Sequence, residues 1–195
     1  TLSILKKLGE DFTLIDENCC GSVLQRIGVD EEEVERLWER NVKSIRSLGV
    51  EKVVFSCAGC YRMFKEEYPK KLDLGFEVLH ITEYLASKDL KLKPYEGTVT
   101  YHDPCHLGRH CHVYDPPRTV LAKIPGVQFK EMPRSRETAA CCGGGGGVRS
   151  AYPELSKEIA ARRVDEASFA DLMVTTCPFC VNNLKAGASG RDAPE

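Results

Sequence analysis

Glu51–Pro69, EKVVFSCAGCYRMFKEEYP, and Asp171–Ser189, DLMVTTCPFCVNNLKAGAS, are one pattern written twice: a short apolar strand, a Cys-x-x-Cys, then a helical stretch. Upstream of each stands a vicinal cysteine pair followed by glycine, in ENCCGSVLQRIG (17–28) and TAACCGGGGGVR (138–149). From Cys20 to Cys57 there are 36 intervening residues, and from Cys142 to Cys177 there are 34. Further upstream, TLSILKKLGEDFTLI (1–15) resembles TVLAKIPGVQFKEM (119–132), so that Thr1 corresponds to Thr119. Cys105 lies fourteen residues before Thr119, and its counterpart in the first repeat would precede Thr1. The chain is therefore expected to start inside its first repeat, without that repeat's lone cysteine.

Short apolar runs alternating with longer amphipathic stretches predict an α/β fold. It has two pseudo-repeated halves, each with a small, mostly parallel sheet flanked by helices. Strands are predicted at Phe12–Ile15, Lys52–Ser56, Phe76–Ile81, Thr98–His102, Val127–Met132 and Asp171–Thr175. One helix is predicted from Asp30 to Leu48, with an Asp cap, Glu31, Glu32 and Glu33 in its first turn, and Val34, Leu37, Trp38, Val42, Ile45 and Leu48 on one stripe. A second runs from Pro153 to about Ser168, with Leu155, Ile159 and Val164 facing inward. The halves are residues 1–93 and 97–185, joined through Pro94–Gly97, and 186–195 is a polar, Gly/Ala-rich, loosely held tail. Cys105, Cys141-Cys142 and Cys177 each follow a predicted strand. In an open parallel sheet, ligands gather at the carboxyl ends of strands, so distant cysteines can converge on one crevice.

Composition narrows the chemistry. At 195 residues the chain can bury a core without a disulfide framework, and its first twenty residues lack the apolar run of a secretory signal. A reducing cytoplasm is the expected setting. The apolar runs are only strand-length, which argues against direct membrane insertion. With 27 basic and 29 acidic residues, charge gives no reason to propose nucleic acid as a partner. Thiolate sulfur selects zinc, Cu(I) and iron–sulfur centres.

Five cysteines, Cys105, Cys141, Cys142, Cys177 and Cys180, exceed by one the four of a tetrahedral zinc site or a cubane 4Fe-4S cluster. Either one is not a ligand or the cluster is irregular. In the first half, Cys19, Cys20, Cys57 and Cys60 make a set of four that suits a cluster or zinc. Adjacent cysteines in extended chain point apart, so each pair must sit in a bend, which Gly21 and Gly143–Gly147 permit while bringing backbone N–H groups toward sulfur. The glycine run lacks the Lys-Ser/Thr ending of a phosphate loop.

Around Cys105, the histidines His102, His106, His110 and His112 are candidates to donate hydrogen bonds or protons beside the metal centre, and His106 and His110, four apart, would share a helical face. Arg109 and Arg118 would hold an anionic substrate or the charge of a cluster, or pair with Asp103 or Asp115. Cys111 falls outside the repeat.

HDPCHLGRH, CCGGGGG and TCPFCVNNL together resemble the cysteine-rich, or CCG, domain family, and ENCCG with FSCAGC resembles the latter part of a second copy. The resemblance covers about residues 1–185. Duplicated CCG domains are similar to the B-type and D-type components of heterodisulfide reductase and to iron–sulfur subunits of glycolate oxidase, lactate-utilisation and anaerobic glycerol-3-phosphate dehydrogenase systems. The resemblance implies a non-cubane 4Fe-4S cluster on Cys105, Cys141, Cys142, Cys177 and Cys180, and a second 4Fe-4S cluster or zinc on Cys19, Cys20, Cys57 and Cys60. It implies an oxidoreductase subunit passing electrons to or from a disulfide, thiol or quinone-linked acceptor, with His106 and Arg109 beside the cluster. Partners would be subunits carrying ferredoxin-type clusters or flavin and a membrane-anchored cytochrome, through which a cytoplasmic chain would associate with the membrane. The competing reading is a zinc-stabilised structural or assembly module without redox activity.

Overall fold

The computed structural model describes residues 1–16, 18–191 and 193–194. Two parallel sheets carry the architecture. In the first half, β1 (Lys52–Phe55) pairs with β2 (Glu77–His80) in the register Lys52↔Glu77 to Phe55↔His80. In the second, β3 (Gly97–Tyr101) lies between β4 (Val127–Phe129) and β5 (Leu172–Val174). Helices α1 (Leu2–Lys7), α2 (Ser22–Arg26), α3 (Glu31–Arg46), α4 (Ala58–Arg62) and α5 (Ile81–Ala86) belong to the first half. The second contributes α6 (Asp115–Ala122), α7 (Val148–Ala151), α8 (Pro153–Asp165) and α9 (Pro178–Ala188). The expected α/β fold with two repeated halves is the one observed.

Helix α3 forms for the reasons its sequence gives. Asp30 accepts the Glu32 N–H at 3.0 Å, three glutamates occupy the positive first turn, and Lys43 and Arg46 the negative last one. Val34, Trp38, Asn41, Val42 and Ile45 form the buried stripe, whereas Leu48 lies beyond the helix and is exposed. Helix α8 differs more. Leu155, expected inside, is 51 % exposed, and the inward face is Ser156, Ala160, Ala161, Arg163 and Val164. Small residues line that face because α9 packs hard against it. A Cβ on Gly187 would stand 2.6 Å from Ala160 C and Ala161 N. Helix α9 thus reaches Ala188, three residues past the expected end of the second half at 185. Of the expected tail, Asp192 and Glu195 lie outside the described residues.

The strand expected at Phe12–Ile15 is irregular chain. Its counterpart β4 is a strand because it pairs with β3. Among the described residues the first-half sheet holds only β1 and β2, so 12–15 has no neighbouring strand to complete its hydrogen bonds.

One apolar core serves both halves. Trp38, Tyr61, Met63, Phe64 and Tyr68 share it with Leu107, Val164 and Leu184, and with Cys142, Cys177 and Cys180. Trp38 stacks on Tyr68 with ring centroids 4.9 Å apart. Lys123 of the second half donates to the carbonyls of Ala86 and Lys88 at 2.7 and 2.6 Å, closing the end of α5. Among the described residues no helix is long and apolar enough to cross a membrane.

The α8–α9 contact makes a direct prediction. Gly187→Ala has no space for its methyl group, and its denaturant midpoint should report a loss of about 1–3 kcal/mol; an unchanged midpoint contradicts the close approach.

Candidate metal centre

Both cysteine pairs are bent by the same local device. Gly21 and Gly143 each adopt φ +80°, and neither has space for a side chain. A Cβ would meet Trp38 Nε1 at 2.8 Å in the first case and Ile159 Cβ at 2.9 Å in the second. In this turn the glycine N–H swings back to the first sulfur of its pair, at 3.4 Å for Gly21 to Cys19 Sγ and 3.3 Å for Gly143 to Cys141 Sγ. The carbonyls, turned the other way, are caught by buried polar side chains. Asn41 Nδ2 donates to Cys19 O at 3.0 Å, Tyr68 Oη to Cys20 O at 3.1 Å, and Asn183 Nδ2 to Cys142 O at 2.6 Å. Ser156 adds a hydroxyl to Gly143 O at 2.8 Å.

The Cys-x-x-Cys motifs sit as expected at the carboxyl ends of strands. Cys57 caps α4 after β1, and Cys177 caps α9 after β5. Thiol contacts run from Cys105 to Cys141, Cys142, Cys180 and Cys177, cross to Cys57, and continue to Cys60 and Cys20. All ten cysteines are free. The two sets expected as separate sites are therefore joined through Cys57 and Cys177. Cys19 stands exposed.

Protons are shared unequally along this row. The Cys177 thiol holds Cys57 well below the usual thiol range, and the Cys105 thiol does the same for Cys141. The neighbouring thiolates and burial drive Cys60, Cys105 and Cys180 upward, and Cys141 pushes Cys142 to about 12. Loading a soft metal would remove the remaining protons. Cys111 lies outside the row, and burial pushes its thiol to about 12.

The residues around Cys105 are arranged differently from expectation. Pro104–Cys111 is a run of tight turns, with His110 N–H reaching Cys105 O at 3.1 Å, so His106 and His110 do not share a helix; their rings nevertheless meet edge-on at 5.5 Å. The His106 ring packs over the first half, with Nδ1 3.3 Å from where a Gly59 Cβ would stand. Burial, aided by Arg62, pushes it down to about 4, while Cys57 and Cys141 pull it up. His112 is exposed in a left-handed turn with φ +57°. Arg109 donates to Ala139 O at 2.6 Å and so braces the loop entering the second pair. Arg118 is buried in a fork on Asp103, at 2.8 and 2.9 Å, with Glu131 as a further partner, and Asp115 instead meets Arg136. Its role is to hold the loop, and no side remains for a substrate anion.

Several residues at the site carry no cysteine signal. Asn41, Tyr68, Ser156 and Asn183 orient the pairs, His80 is a buried polar group near Cys57, and Arg163 is buried against His102. His80 ends β2 and receives the Thr82 N–H on Nδ1 at 3.3 Å, inside a capping box with Glu83. Its His-x-x-Glu pattern before an apolar run was the available clue. Burial pushes His80 down to about 4, with Cys57 nearby. His102, three residues before Cys105, is pushed down to about 4 by burial and then by the charge of Arg163.

Comparison with known proteins places this geometry in context. The model of the cysteine-rich (CCG) domain matches residues 1–65 and 99–185. The chain is 48 % identical over 200 residues to the D-type component of dihydromethanophenazine:CoB–CoM heterodisulfide reductase of Methanosarcina acetivorans, covering 96 % of this chain and 49 % of that protein. It is 38 % identical over 189 residues to the B-type component of fumarate reductase (CoM/CoB) of Methanothermobacter marburgensis, covering 94 % and 37 %. With EtfAB:quinone oxidoreductase of Syntrophomonas wolfei it shares 36 % identity over 208 residues, covering 98 % and 29 %. The chain spans about half the length, or less, of these curated relatives.

The proton pattern predicts an order of reactivity in the metal-free protein. Cys141, exposed and held as a thiolate, should be alkylated by iodoacetamide about a hundredfold faster than buried Cys180. Lowering the pH to about 6 should leave Cys141 reactive, whereas an ordinary thiol slows about tenfold per pH unit. Peptide mass spectrometry of a time course reads the order, and Cys180 reacting first would contradict the arrangement.

Proposed function

The chain belongs to the cysteine-rich (CCG) domain family, and from that membership we propose that it is the cluster-bearing part of an iron–sulfur oxidoreductase similar to heterodisulfide reductase. The observation that carries this reading is the row of thiols crossing from one half to the other through Cys57 and Cys177. Names of the relatives support an electron-transfer role, since they include heterodisulfide reductase, a fumarate reductase acting with CoM and CoB, and a quinone oxidoreductase.

The residues fit such a group. Cys105, Cys141, Cys142, Cys180 and Cys177 supply five soft donors, each against the next, and the turn at Gly143 leaves backbone where a Cβ would intrude. These five would hold a non-cubane 4Fe-4S cluster; Cys20, Cys57 and Cys60, with Cys19, would hold a second cluster or zinc. When bound, the cluster supplies one-electron transfer and an iron able to take a sulfur ligand. In the proposed reaction a disulfide RS–SR′ takes two electrons and two protons, its S–S bond breaks, and RSH and R′SH leave. The electrons come from a partner subunit carrying ferredoxin-type clusters or flavin. A membrane-anchored cytochrome subunit is the proposed link to a quinone-level pool, with this chain on its cytoplasmic side.

The protein's own groups have definite parts in this proposal. His106 is near enough to Cys57 of one half and Cys141 of the other to feel the charge of both, and is the proposed proton donor to a departing thiolate. Arg109, exposed and anchored on Ala139, keeps the second pair in position from the solvent side. The shared apolar core excludes water from Cys142, Cys177 and Cys180.

Anaerobic reconstitution with iron and sulfide should yield bound iron and acid-labile sulfide with a cluster EPR signal, and Cys142→Ala should remove the second-half share of that iron. Uptake of zinc alone, with no cluster signal, would sink the proposal in favour of a zinc-stabilised structural module.

A further inference from the structure

His102 continues β3 past the Tyr101↔Val174 pair and fastens to β5 through its own N–H, which reaches Val174 O at 2.9 Å. Its ring is 1 % exposed. Arg163 of α8 donates from Nε to His102 Nδ1 at 3.0 Å, and is itself buried and tied to Glu166. A guanidinium carries only donors and keeps its charge, so Nδ1 must be the acceptor and the ring proton must reside on Nε2. Among the described residues that Nε2 has no hydrogen-bond partner. A ring nitrogen of His102, Cys142 Sγ and Cys180 Sγ all lie within 4.8 Å of one another.

Such a trio has two chemical readings. As a metal ligand, the ring would have to offer the Nε2 lone pair and move its proton to Nδ1, where it would face the Arg163 N–H donor to donor. As a hydrogen-bond donor, the ring needs no change, and its orphaned N–H gains the acceptor that burial otherwise denies it. We propose that His102 is a positioning residue which donates Nε2–H to the sulfur of the second-half centre, locked in that tautomer by Arg163, and that it raises the reduction potential of the centre. Hydrogen bonds to cluster sulfurs offset the negative charge gained on reduction. The first half places a histidine at the matching register. His80 pairs with Phe55, two residues before Cys57, just as His102 falls opposite Thr175, two residues before Cys177. Its Nδ1 meets Thr82, the N–H at 3.3 Å and the hydroxyl at 2.8 Å, with no arginine among the described residues to fix the tautomer, and its Nε2 lies close to the Thr176 carbonyl without hydrogen-bond geometry.

This inference rests on the iron–sulfur reading above, and its test separates the two. In anaerobically reconstituted protein, the second-half centre is the EPR signal that Cys142→Ala abolishes, and its midpoint potential is read by redox titration. His102→Phe should lower the ratio of reduced to oxidised centre at a fixed potential about tenfold, equivalent to about 59 mV for one electron. Arg163→Met should shift the potential in the same direction, the double variant no further than His102→Phe, and Arg163→Lys should stay near the wild-type value. An unshifted His102→Phe, or additive shifts in the double variant, would overturn the proposal. Pulsed EPR of the wild type needs no variant to fold. A weakly coupled nitrogen with an exchangeable proton supports the donor role, and a strongly coupled, directly bonded nitrogen that disappears in His102→Gln overturns it. If the wild type binds zinc and no cluster, the iron–sulfur reading has failed; nitrogen NMR of His102 in that zinc protein then reads the tautomer, Nε2–H supporting the lock and Nδ1–H refuting it.

Discussion

Two neighbouring cysteines can serve one centre only if the chain reverses immediately after them, because extended backbone sends successive side chains to opposite faces. Gly21 and Gly143 provide that reversal at φ +80°, and almost everything near the site is organised to keep it. Trp38 and Ile159 fill the space a side chain would need. Asn41, Tyr68 and Asn183 take up the carbonyls the turn leaves inside. An unpaired buried carbonyl costs about 1–3 kcal/mol, so these polar residues are part of the turn as much as the glycine is. The helices that carry the two asparagines, α3 and α9, must then lie where their amides reach the cysteines. This fixes how each half packs on its sheet.

The contact between Cys57 and Cys177 adds a second constraint. Both cysteines stand at a strand end and begin a helix, so their meeting sets the two sheets end against end. The shared core follows from this arrangement, since Trp38 and Tyr68 of one half and Leu184 of the other pack in one cluster with the buried cysteines. A row of thiols in such a place cannot be ionised uniformly. Protonated neighbours stabilise the thiolates at Cys141 and Cys57, which is an arrangement a soft cation would replace with direct bonds.

Much of this was legible from residue order alone. The repeat, the parallel strands before each Cys-x-x-Cys, the capped helix at Asp30 and the grouping of the nine repeat cysteines all rest on local chemistry that a sequence displays. What was misread depended on neighbours. Phe12–Ile15 has the composition of a strand but no strand beside it, and Leu155 has the spacing of a core residue on a helix whose inner face is too close to α9 for it. His106 and His110 have helical spacing in a segment that Pro104 and Gly108 fold into turns. Arg163 was unreadable as a site residue because a buried arginine looks like any surface cation until His102, 61 residues away, is found against it. The junction of the two cysteine sets was hidden likewise, since repeat symmetry describes each half and says nothing of how they meet.

Lys123 gives the chain a direction in time. It closes the last carbonyls of α5 from 37 and 35 residues further along, so on a ribosome the first half emerges with the end of that helix open. The cap arrives only when β3 and α6 have been made in full, and Cys177 follows later still. The sulfurs of the first half thus gain their contact across the halves from one of the last elements of the chain, the start of α9.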